Sequence, residues 1–241
     1  MFSPRRLSVL PAAAALLLAV AGCGTEPGGV VDDAKPSAPA TAPATSDTGG
    51  AGEGLGLTEA LTQLETARES RSGYEREKFR HWTDADGDGC DTRREVLLAE
   101  AVQAPDQGEG CALTGGSWHS AYDQETVTDA ARLDIDHMVP LAEAWDSGAS
   151  TWDAERREAF ANDLDADYAL IAVTAATNRS KGDQDPAEWL PPSTDAHCSY
   201  AADWIATKLR WSLTADPAER SALEDLAADC PDTRLSYTPA P

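Results

Sequence analysis

Two short segments of the chain carry the residue types that hydrolysis of a phosphodiester needs. The first ends in Asp136-His137, and the second begins at Asn178, about forty residues later. A carboxylate can bind a metal ion, and a neutral imidazole can take a proton from water near neutral pH. The amide oxygen of Asn178 would complete an oxygen-rich metal site, and Arg179 and Lys181 would hold the phosphate. Together these residues predict metal-dependent phosphodiester chemistry.

Two strands are expected to position these residues. In an extended strand from 133 to 137, side-chain alternation places Asp134 and Asp136 on the face opposite to His137. Pro140 ends this strand. The apolar run 170–173 predicts a second, buried strand, so Asn178 is expected in the turn or helix that follows it.

At these residues the sequence resembles the HNH, or ββα-metal, endonucleases. The closest pattern is the secreted branch that is similar to the C-terminal nuclease domain of GmrSD-type restriction enzymes. The resemblance spans roughly residues 71–230, and its landmarks, in family order, are Cys90-Asp91-Thr92-Arg93, Asp136-His137-Met138-Val139-Pro140-Leu141, Ala144-Trp145, Ser147-Gly148-Ala149, Arg157, Phe160-Ala161-Asn162-Asp163, Asn178-Arg179-Ser180-Lys181-Gly182-Asp183 and Trp189-Leu190-Pro191-Pro192.

The resemblance implies an α+β fold, with a ββα-metal nucleus inside a mostly helical, disulfide-stapled single domain. It also implies that His137 is the base that activates water and that Asp136 and Asn178 bind the metal. Magnesium or manganese is expected with oxygen ligands. His119 is a weaker candidate for a further ligand, and zinc or nickel is conceivable if it joins the site.

One position departs from the family pattern. Where the family usually has an Asn before the Leu of the second strand, this chain has Ala169. That Asn braces a loop in the motif, so its replacement bears on loop rigidity more than on chemistry. Asn162 is an alternative brace.

The net charge of −23 opposes the binding of a nucleic acid. A divalent ion would be needed to offset the repulsion, together with the basic residues expected near the site. These are Arg132, Arg156, Arg157, Arg179 and Lys181. Binding of DNA, the expected substrate, or of RNA is therefore predicted to be weak and strongly salt-dependent.

Residues 1–23 have the layout of a bacterial lipoprotein signal peptide. Arg5-Arg6 precedes an apolar run from Leu7 to Val20, which is short for a membrane span of ~20 residues. The lipobox ends at Cys23, whose thiol would carry the lipid and tether the mature protein outside the cytoplasmic membrane, unless the protein is secreted.

The rest of the chain divides by composition. Residues 24–56 are rich in Pro, Ala, Thr, Ser and Gly and are expected to be a disordered tether. Residues 57–235 would form the folded domain, and residues 236–241 a loose tail. Helical spacing predicts a first helix capped by Thr58, a second capped by Ser150, and two C-terminal helices.

Four cysteines remain after the lipobox: Cys90, Cys111, Cys198 and Cys230. An even number in an exported chain indicates disulfides, and pairing of nearest neighbours is favoured among the three connectivities. A structural zinc site is the competing interpretation, but no Cys-x-x-Cys occurs.

An acidic loop has the spacing of a calcium-binding loop, with oxygen ligands at Asp84, Asp86 and Asp88, a Gly at the sixth position and Glu95 at the twelfth. Asp91 stands where such loops place an apolar residue, so a solvated acidic turn is the competing interpretation. If the loop binds calcium and the other segments do no chemistry, the protein would be a non-catalytic, calcium-stabilised surface module.

Overall fold

The computed structural model describes residues 54–241. The predicted signal peptide, Cys23 and most of the predicted tether lie outside these residues. The helices are α1 (Leu57–Leu61), α2 (Thr92–Ala99), α3 (Leu141–Asp146), α4 (Ala154–Ala161), α5 (Ala175–Lys181), α6 (His197–Trp211) and α7 (Pro217–Asp229). The strands are β1 (Leu55–Gly56), β2 (Asp106–Gln107), β3 (Leu113–Thr114), β4 (Trp118–Ser120), β5 (Glu125–Val127), β6 (Leu133–His137), β7 (Leu170–Thr174) and β8 (Arg234–Leu235). The predicted α+β class is confirmed.

The strand pair β6–β7 and helix α5 form the expected ββα unit. The strands are antiparallel, with Leu133 opposite Thr174 and His137 opposite Leu170. Helices α3 and α4 lie in the connection between the two strands, so the pair is not a tight hairpin. Helix α5 starts directly after β7 and returns along β6.

Two apolar clusters fix the orientation of β6. Leu133 and Ile135 pack into a small core with α2 and β4, where Trp118 is fully buried. Met138 and Val139, just beyond the strand, join the larger core that the C-terminal helices complete. Because Leu133 and Ile135 face the small core, Asp136 faces α5, as alternation predicts.

The helix starts differ in detail from the sequence prediction. Helix α1 has Gly56 as its N-cap, and Thr58 lies inside the helix. Helix α4 is capped by Asp153, whose side chain accepts a hydrogen bond from the Arg156 amide, and not by Ser150. An Asp at this position satisfies a free amide and also favours the positive end of the helix dipole.

Both disulfides have the predicted nearest-neighbour pairing. Cys90 is bonded to Cys111, next to the acidic loop, and Cys198 to Cys230, between α6 and the end of α7. The zinc interpretation is therefore wrong for these four residues.

The two ends of the described chain are held together. Strand β1 pairs with β8, although its residues Leu55–Gly56 fall within the predicted tether. The tail was expected to be loose, but two hydrogen bonds attach it to Arg210. The Arg210 side chain donates to the Thr238 carbonyl, and the Ala240 amide donates to the Arg210 carbonyl. Among residues 54–241, none of the helices combines the length and the apolar character needed to cross a membrane.

Candidate active site

Asp136 lies at the end of β6 and is held from the side of α5. It is 5% exposed, and its Oδ2 accepts hydrogen bonds from Lys181 Nζ at 2.5 Å and from the Tyr122 hydroxyl at 2.7 Å. Its Oδ1 has no hydrogen bond to any residue in the described range. Burial raises the pKa of Asp136, and the Lys181 ammonium opposes that rise. The carboxylate therefore has one oxygen anchored and one available for a ligand.

Lys181 is the anchor and not a phosphate contact. It is fully buried, and its Nζ also donates to the main-chain oxygens of His137 and Met138, at 3.0 and 2.8 Å. Burial lowers the pKa of Lys181, while Asp136 opposes the fall. All three hydrogen-bond donors of the ammonium are used inside the protein, so Lys181 cannot also bind a phosphate in the solvent. The predicted phosphate role of Lys181 is thus corrected to a structural one.

His137 is 6% exposed, and its ring is oriented by a main-chain carbonyl. Its Nε2 lies 3.0 Å from the Ala161 oxygen, and because a carbonyl can only accept, Nε2 carries the proton. This tautomer leaves the Nδ1 lone pair available as a base. Burial lowers the pKa of His137 to about 3, so the imidazole is neutral at pH 7.

Two aromatic residues that the sequence analysis did not select surround His137. The ring of Trp82 lies 5.4 Å from the imidazole, and that of His81 lies 6.3 Å away, measured between ring centroids. No motif marks them, because they come from an irregular segment more than fifty residues upstream that meets the strand only in the folded chain.

Asn178 and Arg179 lie on the turn of α5 that faces β6. Asn178 Nδ2 and Arg179 Nε are each 3.5 Å from Oδ2 of Asp134, which lies on the same face of β6 as Asp136. The contact directs the amide nitrogen of Asn178 to Asp134 and leaves its oxygen free to bind a cation. Arg179 is a surface residue, with 75% of its side chain exposed.

A cavity of about 310 Å³ joins these residues. Its lining consists of Arg76, Ile135, Asp136, His137, Pro140, Leu141, Asn178, Arg179, Gly182 and Asp183. The structure thus brings together four of the five predicted catalytic or metal-binding residues and places Lys181 beneath them. The available oxygens of Asp136 and Asn178 suit a hard divalent cation that keeps several water ligands, as magnesium does.

The basic residues expected near the site have different positions. Arg132 lies 4.0 Å from Glu125 on the surface. Arg156 and Arg157 donate to main-chain carbonyls, those of Pro241 and Trp152 respectively. Arg179 alone of the predicted set lines the cavity, where Arg76, which the sequence analysis did not select, accompanies it.

His119 is not part of the cavity lining. It is exposed on β4, and its Nε2 contacts the side-chain oxygen of Gln124 at 3.2 Å. This position gives no support to His119 as a metal ligand. The argument for zinc or nickel depended on that ligand and loses its support as well.

Asn162 braces the segment that carries His81 and Trp82. Its Oδ1 accepts from the Thr83 amide and the Thr92 hydroxyl, and its Nδ2 donates to the carbonyls of Arg80 and Glu158. Ala169, at the position where the family usually has an Asn, contributes only main-chain hydrogen bonds: its oxygen accepts from the Met138 amide, and its amide donates to the Ala166 oxygen.

The four residues of the acidic loop converge. Carboxylate oxygens of Asp84, Asp86 and Asp88 lie within 4.8 Å of one another, and Asp88 is equally close to Glu95. Asp84 also accepts from the amides of Gly87 and Gly89. Burial and the carboxylates of Asp88, Asp86, Asp84 and Asp91 raise the pKa of Glu95.

Comparisons with known proteins identify the family of the chain. An uncharacterized secreted protein of Arthroderma benhamiae is 44% identical to the chain over 160 residues, which are 66% of this chain and 77% of that protein. No solved structure matches the chain significantly. The family model of the C-terminal domain of GmrSD restriction endonucleases matches residues 76–225. This range includes the whole ββα unit and the disulfide-bonded Cys90. The chain therefore belongs to the family of GmrSD restriction endonuclease C-terminal domains.

Proposed function

We propose that the protein is a metal-dependent endonuclease of the HNH type that hydrolyses phosphodiester bonds of DNA, and of RNA as a second substrate. The observation that carries the proposal is the convergence of Asp136, His137 and Asn178 on one cavity. Family membership supports nuclease activity in general.

His137 is the base in this proposal. The Ala161 carbonyl holds Nε2, so Nδ1 can take a proton from a water molecule that enters the cavity. A general base must be neutral before it can accept a proton from water, and burial keeps the His137 ring neutral. The ring cannot rotate freely, because Trp82 packs against it.

Asp136 and Asn178 would hold the metal ion, with magnesium or manganese as the matching ions. When bound, the ion would neutralise charge on the phosphate and on the leaving oxygen. Lys181 and Tyr122 keep Asp136 in place through Oδ2. Arg179 and Arg76 are the cations at the cavity edge that can contact the flanking phosphates.

The site of action is proposed to be outside the cytoplasm. The relative from Arthroderma benhamiae is described as secreted, and two disulfides fit an oxidising compartment. The signal layout ending at Cys23 adds a proposed lipid anchor to a bacterial membrane.

Plasmid nicking tests the function. The fragment from Gly54 onward is incubated with magnesium, manganese or chelator, beside His137→Ala and the matched control His119→Ala, which changes an exposed histidine outside the cavity. The wild type and the control should cut with metal and stop with chelator. His137→Ala should lose at least about 100-fold, the usual contribution of a general base.

Cutting by His137→Ala at the wild-type rate would refute the assignment of the base. Absence of cutting with any ion, in a protein that circular dichroism shows to be folded, would favour the alternative of a non-catalytic, calcium-stabilised module.

The acidic loop is proposed to bind calcium in a structural role. The four side chains at Asp84, Asp86, Asp88 and Glu95 form an oxygen-rich group next to the Cys90–Cys111 disulfide. Calorimetry should show that the double variant Asp84→Asn with Asp88→Asn binds one calcium ion per chain fewer than the wild type. Equal heats from the wild type and the double variant would exclude the loop as the binding site.

A further inference from the structure

A second group of carboxylates lies among the helices, apart from the ligand sets described above. Glu69, which precedes the 3₁₀ turn at Arg76–Lys78, meets Glu143 and Asp146 of α3. One carboxylate oxygen from each of the three residues lies within 4.8 Å of the other two. Glu143 and Asp146 are three positions apart, so they lie on the same side of the helix.

Two oxygens in this group have no partner. In the described part of the chain, three buried side-chain atoms lack a hydrogen bond, and two of these are Glu69 Oε1 and Asp146 Oδ1. The Asp146 side chain is 6% exposed, and its other oxygen binds Arg71 at 2.5 Å. A carboxylate oxygen can only accept, so each of these two atoms needs a donor or a cation.

The surrounding charges do not balance. Lys208 is fully buried and is shared between Glu143, at 2.8 Å, and Glu219, at 2.6 Å. Glu143 and Glu219 pair with Lys208, and Asp146 pairs with Arg71, whereas Glu69 has no ion pair with either cation. These four carboxylates and two cations carry an excess of two negative charges when all are ionised. Arg71 also pairs with Asp183, whose side chain is 54% exposed. Uncompensated buried charge is strongly unfavourable.

We propose that Glu69, Glu143 and Asp146 bind a divalent cation of the calcium class, which supplies the two missing positive charges. Calcium binds oxygen at about 2.3–2.6 Å, so two ligands on opposite sides of the ion are up to about 5 Å apart. The separations in the group fit that limit. Magnesium binds at about 2.1 Å, so it would require every separation to be below about 4.2 Å.

The ion would tie the segment that contains Glu69 to α3. This helix starts at Leu141, a lining residue of the active-site cavity. Arg71 connects the two regions directly, because it contacts both Asp146 and Asp183, another lining residue. Binding would therefore stabilise the folded domain and the wall of the cavity, since the three ligands come together only in the folded chain.

The test uses a parent protein in which the other two candidate sites are disabled, Asp84→Asn with Asp88→Asn and Asn178→Ala. Equilibrium dialysis should find one calcium ion per chain in this parent, and calcium should raise its unfolding temperature. Adding Glu69→Gln should remove the ion and the temperature shift. Glu65→Gln, in the same segment but exposed, is the matched control and should change neither.

Three results would overturn the proposal. One is a parent that binds no calcium and shows no temperature shift. Another is a Glu69→Gln variant that binds as much calcium as its parent, which would mean that Glu69 is not a ligand of the ion. If Glu69→Gln does not fold, Asp146→Asn replaces it, and undiminished calcium binding by that variant would count equally against the site.

Discussion

Lys181 and Arg179 are neighbours in sequence with opposite roles. Lys181 is 45 residues from Asp136 in the chain, yet its ammonium contacts that carboxylate in the interior. Arg179 points to the solvent at the cavity edge. In an α-helix, residues two apart face different directions, so Lys181 reaches the buried Asp136 of β6, whereas Arg179 meets the partly exposed Asp134 at the cavity edge.

Replacement of Lys181 should affect stability before it affects substrate binding. Lys181→Met leaves Asp136 buried without its cation, which should lower the free energy of unfolding by about 3–5 kcal/mol. Urea unfolding measures this loss, and the metal concentration for half-maximal cutting should rise because Asp136 is no longer held. A Lys181→Met protein as stable as the wild type would show that the ion pair is not what holds Asp136.

Arg179→Ala is the contrasting change. Its stability should stay within about 0.5 kcal/mol of the wild type, because the side chain is mostly exposed. Its KM for DNA should rise, and the slope of log KM against log salt should fall by about one, the loss of one phosphate contact. An unchanged KM and salt slope would remove Arg179 from the substrate-binding surface.

At the scale of elements, the candidate active site includes an irregular segment as well as the ββα unit. Residues 80–83 have no regular secondary structure, and the hydrogen bonds of Asn162 attach them to α2 and α4. This attachment places Trp82 against His137. A loop residue at the end of α4 thus controls the packing around a residue of β6.

Asn162→Ala should loosen that segment. The loss of four hydrogen bonds, with buried partners left unsatisfied, should cost about 1–3 kcal/mol. Hydrogen exchange at the Thr83 amide should become faster, and the nicking rate should fall. Asn162→Asp, which keeps the two accepting contacts and loses the two donating ones, should have an intermediate effect. Unchanged exchange at Thr83 in the Ala variant would mean that the segment is held by other contacts.

At the scale of the whole molecule, the excess of acidic residues affects stability. Burial raises the pKa of Glu100 to about 7, and it raises that of Asp203 to about 7 with the help of Asp167. Such groups hold a proton in the folded state at a pH where the unfolded chain has lost it. Their effect is absent below about pH 4.5 and fully destabilising above pH 7, so stability should fall as pH rises through this window.

Glu100→Gln should remove part of this pH dependence. Glutamine can keep the hydrogen bond that Glu100 accepts from the Ala172 amide, while it cannot ionise. The variant should be more stable than the wild type by about 1–3 kcal/mol at pH 8 and equally stable at pH 4.5. Thermal unfolding at both pH values, with Glu109→Gln on an exposed turn as control, measures the difference. An equal gain at both pH values would show that ionisation of Glu100 is not the cause.

The sequence by itself predicted the two strands of the ββα unit, favoured the two disulfide pairs that the structure has, and selected Asp136, His137 and Asn178 as candidate site residues. Alternation in β6 and the apolar run of β7 are local patterns, and they place each side chain on a face without knowledge of the rest of the chain. The cysteine pairing was likewise favoured by proximity in sequence.

Only the tertiary structure decided which cations line the cavity and which lie in the core. In the sequence, four cations looked equally able to contact a phosphate: Lys181, Arg156, Arg157 and Arg179. In the structure, burial or long-range hydrogen bonds give the first three structural roles. His81, Trp82 and Arg76 reach the site through contacts between distant segments. The carboxylate group at Glu69 and Asp146 joins residues 77 positions apart, a pairing that no local period encodes. Local patterns specify the face of an element, whereas the packing of elements decides what that face meets.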